Sequence, residues 1–168
     1  MRLLLIRHAI AEERSNKRWP DDADRPLTQR GIRRFRSAAD GLGTLFEGVD
    51  GLLTSPFVRT HQTATILMDR LGWPEPEVRP HLAGGAPLAG AVALLANSEQ
   101  RSTIVVVGHE PTMSLLTSAY TASPSAQVML DWRRGGAALL EFDESPRVNA
   151  GRLLWFLPPR LLRTLGGD

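Results

Sequence analysis

Leu3-Leu4-Leu5-Ile6-Arg7-His8-Ala9 sets four apolar residues in a row and then a cation, an imidazole and a small residue. A continuous apolar run of this length, closed by charge, reads as a strand buried on both faces, the kind that parallel sheets contain. The pattern returns far down the chain as Ile104-Val105-Val106-Val107, followed by Gly108-His109-Glu110-Pro111. Between the two, Leu53-Thr54-Ser55-Pro56-Phe57-Val58-Arg59-Thr60 closes a third apolar stretch. Each time a cation or imidazole stands just past the carboxyl end of a strand, where open α/β sheets build their ligand sites. Arg7, His8, Arg59 and His109 converging there describe a phosphate site.

Composition sets the outer bounds. A chain of 168 residues suits one domain spanning 1–168. No run reaches the roughly 20 apolar residues of a membrane span, and the opening Met-Arg-Leu-Leu-Leu-Ile-Arg-His is too short and too soon charged for a signal peptide. A cytoplasmic location and no membrane partner are therefore expected. With no cysteine, thiolate nucleophiles and cysteine-held metals are excluded. The pI of about 9.9 accompanies a net charge of only +2, and nineteen of the twenty Lys and Arg residues are arginine. That balance gives no reason to expect a nucleic-acid partner.

The apolar runs at 3–6, 51–54 and 103–107 alternate with helix-like segments, as in a parallel sheet covered on both faces. Thr28 is a candidate N-cap for a helix over 28–46, weakened by Gly31, Gly41 and Gly43. Ser55 and Pro56 read as N-cap and first helical residue of a second helix, with Ala64, Leu67, Met68 and Leu71 as its buried stripe and Gly72 as its stop. Residues 73–90 read as a long loop and 91–97 as a short helix. Pro111 opens a helix to about Tyr120, and residues 137–142 and 152–157 read as two late strands. The arginines at 30, 33, 34 and 36 read as a solvated helix face.

Four ordered motifs resemble the histidine phosphatase superfamily, also called phosphoglycerate mutase-like, and within it the small phosphohistidine phosphatases of the SixA type. They are Arg7-His8-Ala9, the run Asp24-Arg25-Pro26-Leu27-Thr28-Gln29-Arg30-Gly31, the run from Thr54 to Ala64, and Gly108-His109-Glu110-Pro111. The resemblance implies a three-layer α/β/α sandwich with a mostly parallel central sheet. It implies a phosphatase in which His8 is the nucleophile, Arg7 and Arg59 bind phosphate, and His109 is a second catalytic histidine that donates to a phosphoryl oxygen. The chemistry agrees: a neutral imidazole can attack phosphorus and split one hard displacement into two easier ones. Neighbouring arginines stabilise the phosphoryl oxygens and, by like-charge repulsion, lower the imidazole pKa. They take over the electrostatic work of a metal, so neither metal nor other cofactor is expected.

Larger members of the family carry a carboxylic acid, in the region after the arginine helix, that protonates a departing ester oxygen. Here that stretch reads Pro80-His81-Leu82-Ala83-Gly84-Gly85-Ala86. Its lack of a carboxylate favours a phosphoramidate, whose nitrogen leaves more readily than an alkoxide. The leading expectation is a protein phosphohistidine phosphatase acting on a phosphorylated protein. A phosphomonoesterase of small phosphorylated substrates and a catalytically weak phosphate- or polyphosphate-binding module are the alternatives. Arg25, Glu110 and His81 are auxiliary candidates, and Glu77, His81 or Glu110 could substitute as the acid.

Overall fold

The structure is a computed structural model, and it describes residues 1–98, 101–122 and 128–168. Six strands form one sheet in the order β3-β2-β4-β1-β5-β6: β1 (Arg2–Arg7), β2 (Gly51–Thr54), β3 (Glu77–Val78), β4 (Thr103–Gly108), β5 (Ala137–Glu141) and β6 (Arg152–Leu157). The first four run parallel, while β5 pairs antiparallel with β1 and β6 antiparallel with β5. Five helices cover the sheet: α1 (Gln29–Gly43), α2 (Val58–Leu71), α3 (Leu88–Ala96), α4 (Thr112–Thr121) and α5 (Pro159–Leu165).

Alternation along the strands assigns the layers, because successive side chains point to opposite faces. Leu4, Ile6, Leu52, Val105, Val107 and Leu139 pack with Phe35, Leu42, Leu67 and Leu162 from α1, α2 and α5. Leu3, Leu5, Leu53, Ile104, Val106 and Leu140 pack with Ala91, Leu95, Met113, Leu116 and Tyr120 from α3 and α4. Two cores, one on each face of the central strands, make the expected three-layer α/β/α sandwich. They also explain the unbroken apolar runs 3–6 in β1 and 104–107 in β4.

Four local expectations change. The helix over 28–46 keeps its Thr28 cap, whose Oγ1 accepts from Gly31 N at 2.8 Å, but ends at Gly43, where Thr44 N–H turns back to the Gly41 carbonyl. Gly41 is there for packing: a Cβ on it would lie 1.9 Å from the Leu162 carbonyl oxygen, so its absence lets α5 cross α1 at close range. Ser55 is not the cap of α2, which starts at Val58 after Phe57; Gly72 does end it, at φ 64°. Within the helix Ala64 and Leu67 are buried, whereas Met68 and Leu71 are half-buried. The expected loop over 73–90 contains β3, which extends the sheet beside β2, and α3 begins at Leu88 rather than 91. Finally, α5 had no helical expectation at all.

Candidate active site

Strand register builds the site. Arg7 lies opposite Gly108 in the β1–β4 pair and Thr54 opposite Val107 in the β2–β4 pair, so His8, His109 and Ser55 leave the sheet together at one edge. His8 N–H donates to the Gly108 carbonyl at 3.0 Å, and the two imidazole centroids are 5.3 Å apart. The loop before β5 closes the other side: Gly135 N–H reaches both the Arg7 and His8 carbonyls at 3.0 Å. Ala9 N–H donates to Thr63 Oγ1 at 3.1 Å, tying the turn to α2.

The tautomer of His8 follows from its partner. Nδ1 lies 2.7 Å from the Ala9 carbonyl oxygen. A carbonyl only accepts, so in the neutral ring Nδ1 carries the proton and Nε2 presents a lone pair. Burial drives the His8 pKa from its ordinary value down to about 3, with His109, Arg59 and Arg7 adding to the fall and the Ala9 hydrogen bond opposing it. The expected repulsion from the arginines is present and ranks behind desolvation. His109 falls to about 3 for the same first reason, with Arg59 next. Its Nε2 lies 2.8 Å from Ser55 Oγ, while its Nδ1 is buried without a partner.

Both arginines are held by backbone carbonyls. Arg59, in the first turn of α2 and 4% exposed, donates from Nη1 to the Asp22 carbonyl at 2.7 Å and from Nη2 to Asp22 Oδ2 at 3.0 Å. Its guanidinium also stacks on the Phe57 ring, 4.8 Å from the centroid. Arg7 Nη1 donates to the Trp132 carbonyl. The Nε of each guanidinium is buried and unbonded. Arg7 Nε, Arg59 Nε and His109 Nδ1 are thus three buried nitrogens, without partners among the described residues, on side chains meeting at one sheet edge. Leaving a buried donor unpaired costs roughly 1–3 kcal/mol, which an oxyanion with several acceptor oxygens would recover.

The auxiliary candidates divide. Arg25 is buried and bonds Asp22 Oδ1 at 2.8 Å and the Glu12 carbonyl at 2.8 Å; it shares Asp22 with Arg59 and so acts at one remove. Glu110 accepts at both oxygens from Ser114, at 3.1 Å from the amide and 2.6 Å from Oγ; burial lowers the pKa of nearby Arg7, and the Glu110 charge opposes that fall. His81 is exposed, its ring facing Gly90, and it bonds none of the four central residues. Glu77 is ion-paired with Arg79 and Arg101. Two residues escaped the sequence reading. Asp22 lies in an acidic loop that offers no spacing signal, and Ser55 was read as a helix cap although its Oγ faces His109.

Among the described residues no group of three or more His, Asp or Glu gathers as metal ligands would, and no helix there is long and apolar enough to cross a membrane.

Comparison with known proteins bears on the family and the fold. The model of the histidine phosphatase superfamily (branch 1) matches residues 3–84. The chain is 38% identical over 113 residues to an uncharacterized protein of Picosynechococcus sp., covering 66% of this chain and 67% of that one. It is 29% identical over 143 residues to the phosphohistidine phosphatase SixA of Escherichia coli (strain K12), covering 78% and 86%. The structure of the protein histidine phosphatase SixA complexed with tungstate superposes with a TM-score of 0.83 at 25% identity, over 96% of this chain and 99% of that one. Fold and site together define a phosphatase of the phosphoglycerate mutase-like class. The chain belongs to the histidine phosphatase superfamily.

Proposed function

We propose that the chain is a metal-independent protein phosphohistidine phosphatase that passes the phosphoryl group through Nε2 of His8. The observation that carries this reading is the His8–Ala9 hydrogen bond, which holds the proton on Nδ1 in a ring kept neutral by burial. The Nε2 lone pair attacks phosphorus in line as the bond to the departing imidazole breaks. Water then attacks the phosphorylated His8, and orthophosphate leaves with the Nε2 lone pair restored. Arg7 and Arg59 neutralise the equatorial oxygens, and His109 donates to one of them. The tungstate complex of a similar protein supports a site for a tetrahedral oxyanion.

Substrate choice follows from the acids. Glu77 is engaged by two arginines, Glu110 by Ser114, and His81 faces solvent. A leaving group that needs little protonation suits such a site, and the phosphohistidine nitrogen is one. An alkoxide would forgo the roughly 10²- to 10⁴-fold that general acid catalysis supplies. The test is kcat/KM, in EDTA, for phosphohistidine and for aryl phosphates of graded leaving-group pKa. Rates that survive chelation and fall steeply as that pKa rises are expected. A flat series that steepens in Glu110→Gln would assign Glu110 as the acid and favour a phosphomonoesterase. Binding of phosphate without turnover would favour the binding module.

Ser55 sets the second histidine. Its hydroxyl can donate to Nε2 of neutral His109, which leaves the proton on Nδ1, the unpartnered nitrogen. Ser55→Ala frees the ring to take the other tautomer. The expected result is a loss of about tenfold in kcat/KM, near 1.4 kcal/mol, in a variant that still folds but melts at a lower temperature, because His109 Nε2 and the Phe57 amide lose their partner. A wild-type rate would remove Ser55 from the mechanism.

A further inference from the structure

We propose that an arginine-lined groove between α1 and α5, continuous with the rim of the site, docks an acidic surface of the phosphorylated protein partner. The inference deepens the phosphohistidine reading and rests on it for the kind of partner. Of the nineteen arginines, twelve have a carboxylate within 4 Å among the described residues. The seven that do not are Arg7 in the site and six exposed residues: 30, 33, 34 and 36 on α1, Arg134 before β5, and Arg160 on α5. The unpaired arginines outside the site therefore fall on α1, on α5 and just before β5.

The shape of the surface there gives the charge a purpose. Arg33 and Arg34 from α1 and Arg160 and Arg163 from α5 line a groove of about 550 Å³, in which the one acidic residue, Asp168, pairs with Arg163 and leaves the other three arginines uncompensated. A smaller hollow of about 80 Å³ shares Arg34 and Arg163 with it and is lined at its other end by Ala9, Ile10, Arg134 and Gly135. Ala9 follows the proposed nucleophile, and Arg134 is close enough to Arg7 to lower its pKa. A basic track thus runs from Arg7 through Arg134 and Arg34 to Arg160. The helix face expected to be merely solvated is solvated and also forms one wall of this track.

Electrostatic complementarity of this kind chiefly raises the association rate and selects among partners. The observations favour a protein over a nucleic acid. Exposed Leu161 and Leu165 stand on α5 beside the arginines, offering apolar contacts that a phosphodiester backbone does not match, and the net charge of the chain is only +2.

The experiment uses two synthetic phosphohistidine peptides, one with a run of aspartate and glutamate beside the phosphohistidine and one with lysine there, together with free phosphohistidine. Wild type is expected to prefer the acidic peptide by at least about tenfold in kcat/KM at low salt, with the preference collapsing at high salt. Arg33→Glu combined with Arg160→Glu should abolish that preference and leave the rate on free phosphohistidine unchanged, which also shows that the variant is folded. Equal rates on the two peptides in wild type, or an intact preference in the double variant, would overturn the proposal. If wild type hydrolysed no phosphohistidine at all, the proposed function would fail separately. Fluorescence anisotropy with the unphosphorylated acidic peptide would then decide the groove: binding lost in the double variant supports it, and no binding by wild type overturns it. Displacement of that peptide by single-stranded DNA at far lower concentration than by free acidic peptide would also overturn it, in favour of a nucleic acid.

Discussion

His8→Ala is expected to lower kcat/KM by at least about a thousand-fold, near 4 kcal/mol of transition-state stabilisation. The size of the loss follows from the geometry. His109, the nearest other imidazole, has its Nε2 committed to Ser55, and only His8 is held by a backbone carbonyl in the tautomer that presents Nε2. Rapid quenching of the wild type with labelled substrate should trap acid-labile, alkali-stable phosphate on the peptide containing His8, and the variant should trap none. The variant should fold as well as wild type, because the backbone contacts of residue 8 to Gly108 and Gly135 do not use the side chain. Turnover near the wild-type rate in His8→Ala would end the assignment.

A second large effect concerns stability. Both His8 and His109 have folded pKa values of about 3, far below the value of roughly 6.5 for an unfolded histidine. Below pH 6.5 the unfolded chain takes up protons that the folded chain refuses, so stability is complete above that pH and is lost as pH falls toward 3. A displacement of that size corresponds to about 5 kcal/mol per histidine over the full range, on the scale of a whole domain's net stability. Between pH 7 and pH 5 each should remove about 2 kcal/mol. Urea unfolding of wild type, His8→Ala and His109→Ala across that interval measures it. Each single variant should lose about half of the wild-type pH dependence; undiminished slopes in both would show that neither imidazole is held neutral by the fold.

What could be read from the sequence, and what could not, divides along a physical line. The central strands were legible because strands buried on both faces need unbroken apolar runs, and Leu3–Ile6 and Ile104–Val107 supply them. His8 and His109 were legible as a pair because each stands one residue past such a run. Strand β3 was not, since two residues flanked by prolines carry no periodicity and pair only because Leu53 and Thr54 are already in place. Ser55 was misread because one hydroxyl before a proline suits a helix cap as well as an imidazole. Only the register of β2 on β4 decides between them. Gly41 looked like a weak point in α1 until the Leu162 carbonyl above it supplied the reason. Contacts set by distant parts of the chain leave little trace in local spacing.

The tie of Gly135 N–H to the carbonyls of Arg7 and His8, together with that of Arg7 N–H to the Gly136 carbonyl, has a consequence for how the protein is made. The ribosome delivers β1 first and its β5 neighbour well over a hundred residues later. At about 5–20 residues per second, the strand Leu3–Ile6 waits for on the order of ten seconds with its β5 edge unpaired. Until the loop before β5 emerges, the turn of the proposed nucleophile has only its ties to Thr63 and Gly108 and lacks the clamp of Gly135 on the carbonyls of Arg7 and His8. Between the synthesis of β1 and that of Gly135 the nascent chain is therefore chemically silent and prone to association through that strand. Catalytic competence waits for the loop before β5.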